Sequence, residues 1–467
     1  MIMISRIVFG LGMTVLLFAN SLFAGDLDKA PPKFTYDTRN TVFADFSTVR
    51  LNLSFDAASG KTTASAIINF TVAHDGMPIF DLIPKPSRVE IDGGDVPLAN
   101  VFLLKDPDRQ STLRAVGVEV SPGQNHVLEI DYQLGEEVSY SDGAVAAGFF
   151  MSDLTDREYW EQYAPTNYEY DQYQQTVTVE VTGTDRVHDL FVNGVVTDLG
   201  FNRWQIQYPS YFTSSSFYFH MAAKGRFAVE RSSYAGINGA IPLTVYSGSQ
   251  SNVTRGMTNL KRYLAELEGT YGAFAHASFT AYITDTGGGM EYCGATITSL
   301  GALGHETTHS WFARGVMPAN GNAGWIDEAI ASWRDDGYPR GNGSVGTPRI
   351  LAGFSPYKRY TTRDAYSYGA ELMADFDAML ANTGFSGLRN MLKEFFAGFK
   401  RQTVTTPIFQ AQMEKALGRN MQQFFDRNVY GKGLLNRLPG VGVPEGWDVD
   451  WSRHPRPYTR EEWLELR

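Results

Sequence analysis

His305-Glu306-Thr307-Thr308-His309, followed nineteen positions later by Glu328, constrains this chain more than any other feature. Two imidazoles four residues apart on a helix stack on one face, one turn up from the other. There they can hold one metal ion while the Glu beside the first His faces the bound water. The stretch from Gly301 to Arg314 reads as that helix. Ala302, Leu303, Thr307, Trp311 and Phe312 face inward, and Gly315 stands where a helix commonly stops. Glu328 falls in Trp325–Trp333, a second predicted helix entered after the turn-rich segment Pro318–Gly324. A helix-loop-helix of this length can return a carboxylate to the two His. A His/His/Glu set leaves a fourth position for water, the pattern of a catalytic rather than a structural zinc. Asp327 reads as a surface acid, with orientation of a ligand as its alternative role.

Two further segments bear on the same chemistry. Thr286-Gly287-Gly288-Gly289-Met290-Glu291-Tyr292 follows a strand-like run, Phe279–Ile283, in which Phe279, Ala281 and Ile283 alternate to one face. Three successive Gly let another chain approach the backbone closely, and Glu291 is an acid at the mouth of that approach. Taken alone, Glu291 would be a solvated loop carboxylate. Downstream, Tyr366-Ser367-Tyr368-Gly369 leads into a helical pattern, where a Tyr is ordinarily a packing residue.

Together these residues resemble the M1 zinc aminopeptidases of the gluzincin group. The family's Gly-x-Met-Glu-Asn motif is matched by Gly288-Gly289-Met290-Glu291-Tyr292, with Tyr in the last place. Its HExxH-x18-Glu metal motif is met by His305, Glu306, His309 and Glu328, and its Tyr-x-Lys-Gly motif by Tyr366-Ser367-Tyr368-Gly369, with Tyr for Lys. The resemblance covers about residues 231–430. It implies one Zn2+ on His305, His309 and Glu328, with Glu306 as general base and Tyr366 as proton donor. Gly288, Gly289 and Met290 would line the bound peptide, and Glu291 would pair with its free N-terminus. An endopeptidase or epoxide hydrolase on the same site, or a non-catalytic peptide-binding protein of the same fold, are the alternatives. The sequence departs from the family in three places. Thirteen residues separate Glu291 from His305, Ala329-Ile330-Ala331 follows the metal Glu where Gly-Phe-Ala is common, and the chain ends soon after the catalytic region. The expectation is a short form lacking the family's large C-terminal helical domain.

At 467 residues the chain is too long for one core. Met1–Ala24 reads as a secretory signal, with Arg6 before an apolar run from Ile7 to Phe18, so the protein is expected in the periplasm or outside the cell. An uncleaved anchor is the alternative, and no stable membrane association is expected after cleavage. Residues 25–230 alternate like β-strands, for example Val49, Leu51, Leu53 and Phe55, then Leu128, Ile130 and Tyr132, then Val177, Val179 and Val181. Turn residues recur between them, as in Asp92-Gly93-Gly94-Asp95. The predicted class is therefore an antiparallel β saddle or sandwich followed, over 231–430, by a thermolysin-like α+β domain, with an irregular tail over 431–467. Val253, Met257, Leu260, Leu264 and Leu267 mark a helix ending at Gly269, and later helices fall at 369–382, 387–399, 407–417 and 420–428.

Net charge is −11 with no basic stripe, which argues against nucleic acid as a partner. The single Cys, Cys293, excludes an intrachain disulfide. It reads as a buried packing residue, with a thiol near the site as the alternative. Tyr159–Asp171 is dense in aromatics and acids. By the resemblance, Glu161 or Gln162 would help hold the substrate amine; an aromatic contact between domains is the competing explanation.

Overall fold

The computed structural model describes residues 27–107, 111–135, 138–149, 160–343 and 345–432. The expected leader, Tyr159 and the tail beyond Lys432 lie outside the described residues. Within them, β-structure dominates up to Ala223 and helices alternate with a second sheet system afterwards.

The first part is built on an eight-stranded sheet. Its centre is the hairpin of Asp45–Asp56 and Lys61–Thr71, in register at Val49↔Ile68 and Leu51↔Ala66. Gln174–Thr182 runs parallel to Asp45–Asp56, pairing Val177 with Leu51. The alternation read from sequence is the physical reason for this register. Val49, Leu51, Leu53, Phe55, Ile68, Phe70, Leu128, Ile130, Val177 and Val179 are all buried, while their neighbours along each strand are more exposed. A one-residue slip would turn that apolar row to water. A five-stranded and a four-stranded sheet complete the β part.

A second five-stranded sheet carries the site. Ala228–Gly236 and Gly239–Ser247 form a hairpin, Phe279–Thr284 pairs parallel with the latter, and Ala295–Ser299 pairs parallel with Phe279–Thr284. The strand Gly289–Tyr292 closes the sheet as an antiparallel edge. Helix α1 (Gln250–Tyr271) lays Val253, Met257, Leu260, Leu264 and Leu267 against this sheet and stops at Gly272, one turn later than the sequence suggested. Helices α2 (Leu303–Thr308), α3 (Trp325–Asp335), α4 (Ser367–Leu380), α5 (Leu388–Phe399), α6 (Thr406–Leu417) and α7 (Gln422–Asn428) follow. Their apolar faces share one core with α1 and the sheet. Among the described residues no helix is long and apolar enough to cross a membrane.

Two expectations are corrected here. The helix expected over Gly301–Arg314 spans only Leu303–Thr308. Thr307 and Thr308 donate their hydroxyls back to Leu303 O and Gly304 O, contacts that favour bending over propagation. Beyond His309 the chain unwinds into wider turns, with Arg314 N–H donating to His309 O and Val316 N–H to Trp311 O. Trp311 is drawn away by its indole bond to Gly272 O. Asp327, expected at the surface, is buried, and its Oδ1 accepts the Glu328 N–H at 2.7 Å in the first turn of α3.

The edge strand is pinned from the β part. Tyr292, which stands where the family motif has Asn, is fully buried, with its ring stacked on Phe149 and tilted against Tyr218. Cys293 is buried beside it, and its thiol donates to Arg314 O at 3.5 Å. Burial pushes that thiol up to about 12, so it is a packing group rather than a reactive one.

Candidate active site

The two imidazoles and the distant carboxylate converge. His305 Nε2 lies 3.2 Å and His309 Nε2 3.5 Å from Glu328 Oε2. The three ligand atoms lie within 4.8 Å of one another. Donors at about 2.1 Å from a tetrahedral zinc would stand roughly 3.4 Å apart, and the two separations to Glu328 match that spacing. The other ring nitrogens fix the tautomers. His305 Nδ1 donates to Asp335 Oδ2 at 2.7 Å, and His309 Nδ1 donates to Phe312 O at 3.2 Å. Both Nε2 lone pairs are thereby presented on the Glu328 side.

The electrostatics agree with the geometry. Burial works against a charged His305, yet the bonds to Asp335 and Glu328 outweigh it and carry the imidazole up to about 9. His309 is likewise raised, with burial opposing and Glu291 and Glu328 favouring its charged form. Glu328, despite burial, is held well below the usual carboxylate range by His309 and His305. A cluster that favours positive charge at its centre this strongly suits a divalent cation. Burial pushes the Glu306 carboxyl up to about 8.

The remaining residues surround this centre in a cavity of about 540 Å³. Gly289 packs directly on Glu306, since a Cβ at Gly289 would fall 2.4 Å from Glu306 Oε1. Any side chain there would displace the Glu306 carboxylate, and the strand reaches the helix closely enough to lay Gly288, Gly289, Met290 and Glu291 along one wall. Carboxylate oxygens of Glu291 and Glu306 also come within 4.8 Å of His309. Tyr366 caps α4 and donates its phenol to Glu328 Oε1 at 2.8 Å. Desolvation and the Glu328 carboxylate keep that phenol protonated beyond its ordinary range. Gly369 explains how α4 gets there, because a Cβ on it would sit 2.7 Å from Ala329 Cβ of α3. Tyr368 turns away from the site and donates to Asn428 O.

Three contributors escaped the sequence reading. Asp335 stands seven residues beyond Glu328, two helical turns along the same face, a spacing that could have revealed it. Arg314 donates to Glu291 Oε1 at 2.9 Å, and Ser215 accepts from the same guanidinium. Neither carries a signal in the sequence, since Arg314 follows the unwound turn and Ser215 comes from the β part. Of the aromatic segment, Glu169 lines the cavity with Arg359, whereas Glu161 and Gln162 are buried outside that lining. Arg359 pairs with Asp81 and lies 3.6 Å from Glu169 Oε2.

No protein-family model and no curated protein matches the chain. Solved structures do. Aminopeptidase A of Legionella pneumophila, in complex with aspartic acid, superposes with a TM-score of 0.61 at 15% identity over 83% of this chain. This chain spans about half, 49%, of that protein. An M1 zinc metallopeptidase variant from Deinococcus radiodurans bound to a Tyr-Ser-Ala substrate matches with a TM-score of 0.58 at 15% identity, over 86% of this chain and 96% of its own. Yeast LTA4 hydrolase in complex with bestatin matches with a TM-score of 0.57 at 13% identity, over 88% and 70% of the two chains. At these identities the likeness is one of fold: a β-rich N-terminal part followed by an α+β part, as in the M1 peptidase structures.

Proposed function

We propose that this protein is an exported zinc-dependent aminopeptidase that removes N-terminal residues from peptides carrying a free amine. The observation that carries the reading is the meeting of a His/His/Glu cluster, Glu306, Tyr366 and Glu291 around one cavity. The neighbours of like fold, an aminopeptidase seen with aspartic acid and an M1 zinc metallopeptidase seen with a tripeptide, support it.

His305, His309 and Glu328 would hold the ion. When bound, zinc supplies Lewis-acid polarisation of the scissile carbonyl and acidifies water. The chain's own groups do the rest. Glu306 takes the proton from the attacking water and passes it to the leaving amine. The Tyr366 hydroxyl donates a hydrogen bond to the oxyanion as it develops, a contact worth roughly 2.7–4 kcal/mol in comparable sites. Gly288 and Gly289 leave the edge backbone open to the peptide. The Glu291 carboxylate accepts the substrate's α-ammonium and so sets the cut one residue from the N-terminus.

The test uses aminoacyl p-nitroanilides, each with its N-acetylated twin, and zinc analysis of the purified protein. The expected result is one zinc per chain and hydrolysis confined to free-amine substrates. Equal turnover of the acetylated twins would overturn the exopeptidase reading, and an intact site with zinc but no turnover would favour a peptide-binding role. N-terminal sequencing of the protein recovered outside the cytoplasm checks export; an intact Met1 would contradict signal cleavage.

A further inference from the structure

The amine end of the cleft is braced from two directions. Glu291 stands on a four-residue edge strand, where a carboxylate would ordinarily sample several rotamers. Here it is held. The Arg314 guanidinium donates from Nη2 to Glu291 Oε1 at 2.9 Å and from Nε to the carbonyl oxygen of the same residue at 3.3 Å. A third bond, from Nη1 to Ser215 Oγ at 3.1 Å, ties the guanidinium to the β part. Arg314 and Ser215 are both buried, and all three residues line the cavity. One planar fork thus grips backbone and side chain of a single residue, which fixes the angles between them.

We infer that Arg314, anchored by Ser215, is the positioning residue for the amine-binding carboxylate, leaving Glu291 Oε2 as the oxygen that receives the substrate ammonium. The inference rests on the aminopeptidase reading for the identity of the ligand and extends it by assigning how that subsite is set. Substrate binding therefore depends on contact between the β part and the catalytic sheet.

A double-mutant cycle on the full, zinc-loaded chain tests this. Arg314→Met is expected to raise KM for leucine p-nitroanilide about tenfold, with kcat changed by less than about threefold. In a Glu291→Ala background the same substitution is expected to add less than about twofold, since its route of action has gone. Ser215→Ala, which removes one hydrogen bond only, is expected to raise KM about threefold and to lose that effect in the same background. It decides the matter if Arg314→Met fails to fold. Titration calorimetry with L-leucinamide repeats the cycle in a Glu306→Gln background, where turnover is suppressed. An equal factor in both backgrounds, or no change in KM, overturns the inference while leaving the aminopeptidase reading intact. Coupled losses in leucinamide binding without any hydrolysis uphold the inference and sink the aminopeptidase reading. A wild-type chain that neither binds leucinamide nor cuts the substrate sinks both.

Discussion

The two ends of the cleft are built by different means. At the metal end, His305 and His309 are set by one helical turn and the cap that ends it, and Glu328 and Asp335 by α3. Helix geometry sets His305 beside His309 and Glu328 in line with Asp335, and the packing of α2 on α3 brings the two pairs together. At the amine end, Glu291 lies on a short edge strand and is fixed by a guanidinium from an unwound turn and a serine from the β part. The first end is set by helices packed on one another, and the second by an edge strand braced from an unwound turn and the β part. The difference teaches that chemistry and selectivity are separable here: damage to the helices should remove catalysis, whereas damage at the amine end should change which molecules are bound.

The largest expected effect lies at the metal end. Glu306→Gln keeps the shape packed against Gly289 but cannot take a proton, so kcat should fall by about 10²–10⁴-fold at unchanged zinc content. A matching loss of zinc would mean that Glu306 acts in metal retention instead. Next, if the Tyr366 hydroxyl acts on the developing oxyanion as proposed, Tyr366→Phe should lower kcat by roughly 10²–10³-fold with little change in KM. A pure KM effect in steady-state kinetics would assign Tyr366 to substrate binding and blur the contrast between the two ends. Asp335→Ala removes the partner of His305 Nδ1 and should weaken zinc by about 10–100-fold in a chelator competition. Unchanged affinity would show that α3 holds the imidazole without it.

The smallest effect concerns the wedge between the ends. His276 is buried, accepts from Tyr211 of the β part at Nδ1, and donates from Nε2 to Ser310 O, just past the metal helix. Burial, helped by Arg401, pushes its pKa down to about 3, and burial pushes His220 down to about 4. Unfolded imidazoles titrate near about 6.5, so below that pH the unfolded chain binds more protons than the folded one. Stability is therefore complete above about pH 6.5 and is lost as pH falls toward the folded values, by up to about 1.4 kcal/mol per pH unit for each imidazole. Urea unfolding at pH 7 and pH 5 should show this loss, and His276→Gln should reduce it. An identical pH dependence in the variant would remove His276 from the account.

Much of the metal end could be read from the sequence because its spacing is its geometry. His305, His309 and the helix carrying Glu328 follow from the 3.6-residue period, and the β part follows from the period of two in Val49–Phe55 and Leu128–Tyr132. What failed was local. Trp311 and Phe312 fit an inward helical face, yet the helix stops at Thr308 and the Trp311 indole is tied to Gly272 O instead. Asp327 looked like a surface acid because an acid in a first helical turn usually is one. Arg314 and Ser215 were invisible because their meeting depends on how two separate sheets pack, which no periodicity encodes. Tyr292 was legible as a departure from the family motif but not as the ring that pins the edge strand between Phe149 and Tyr218.

The proposed chemistry depends on a single cation held by His305, His309 and Glu328. Anomalous diffraction at the zinc edge from crystals of the zinc-loaded chain tests it most directly. One peak is expected, with Nε2 of both imidazoles and an oxygen of Glu328 at about 2.0–2.2 Å. A peak elsewhere, or an ion that leaves Glu328 uncoordinated, would contradict the account.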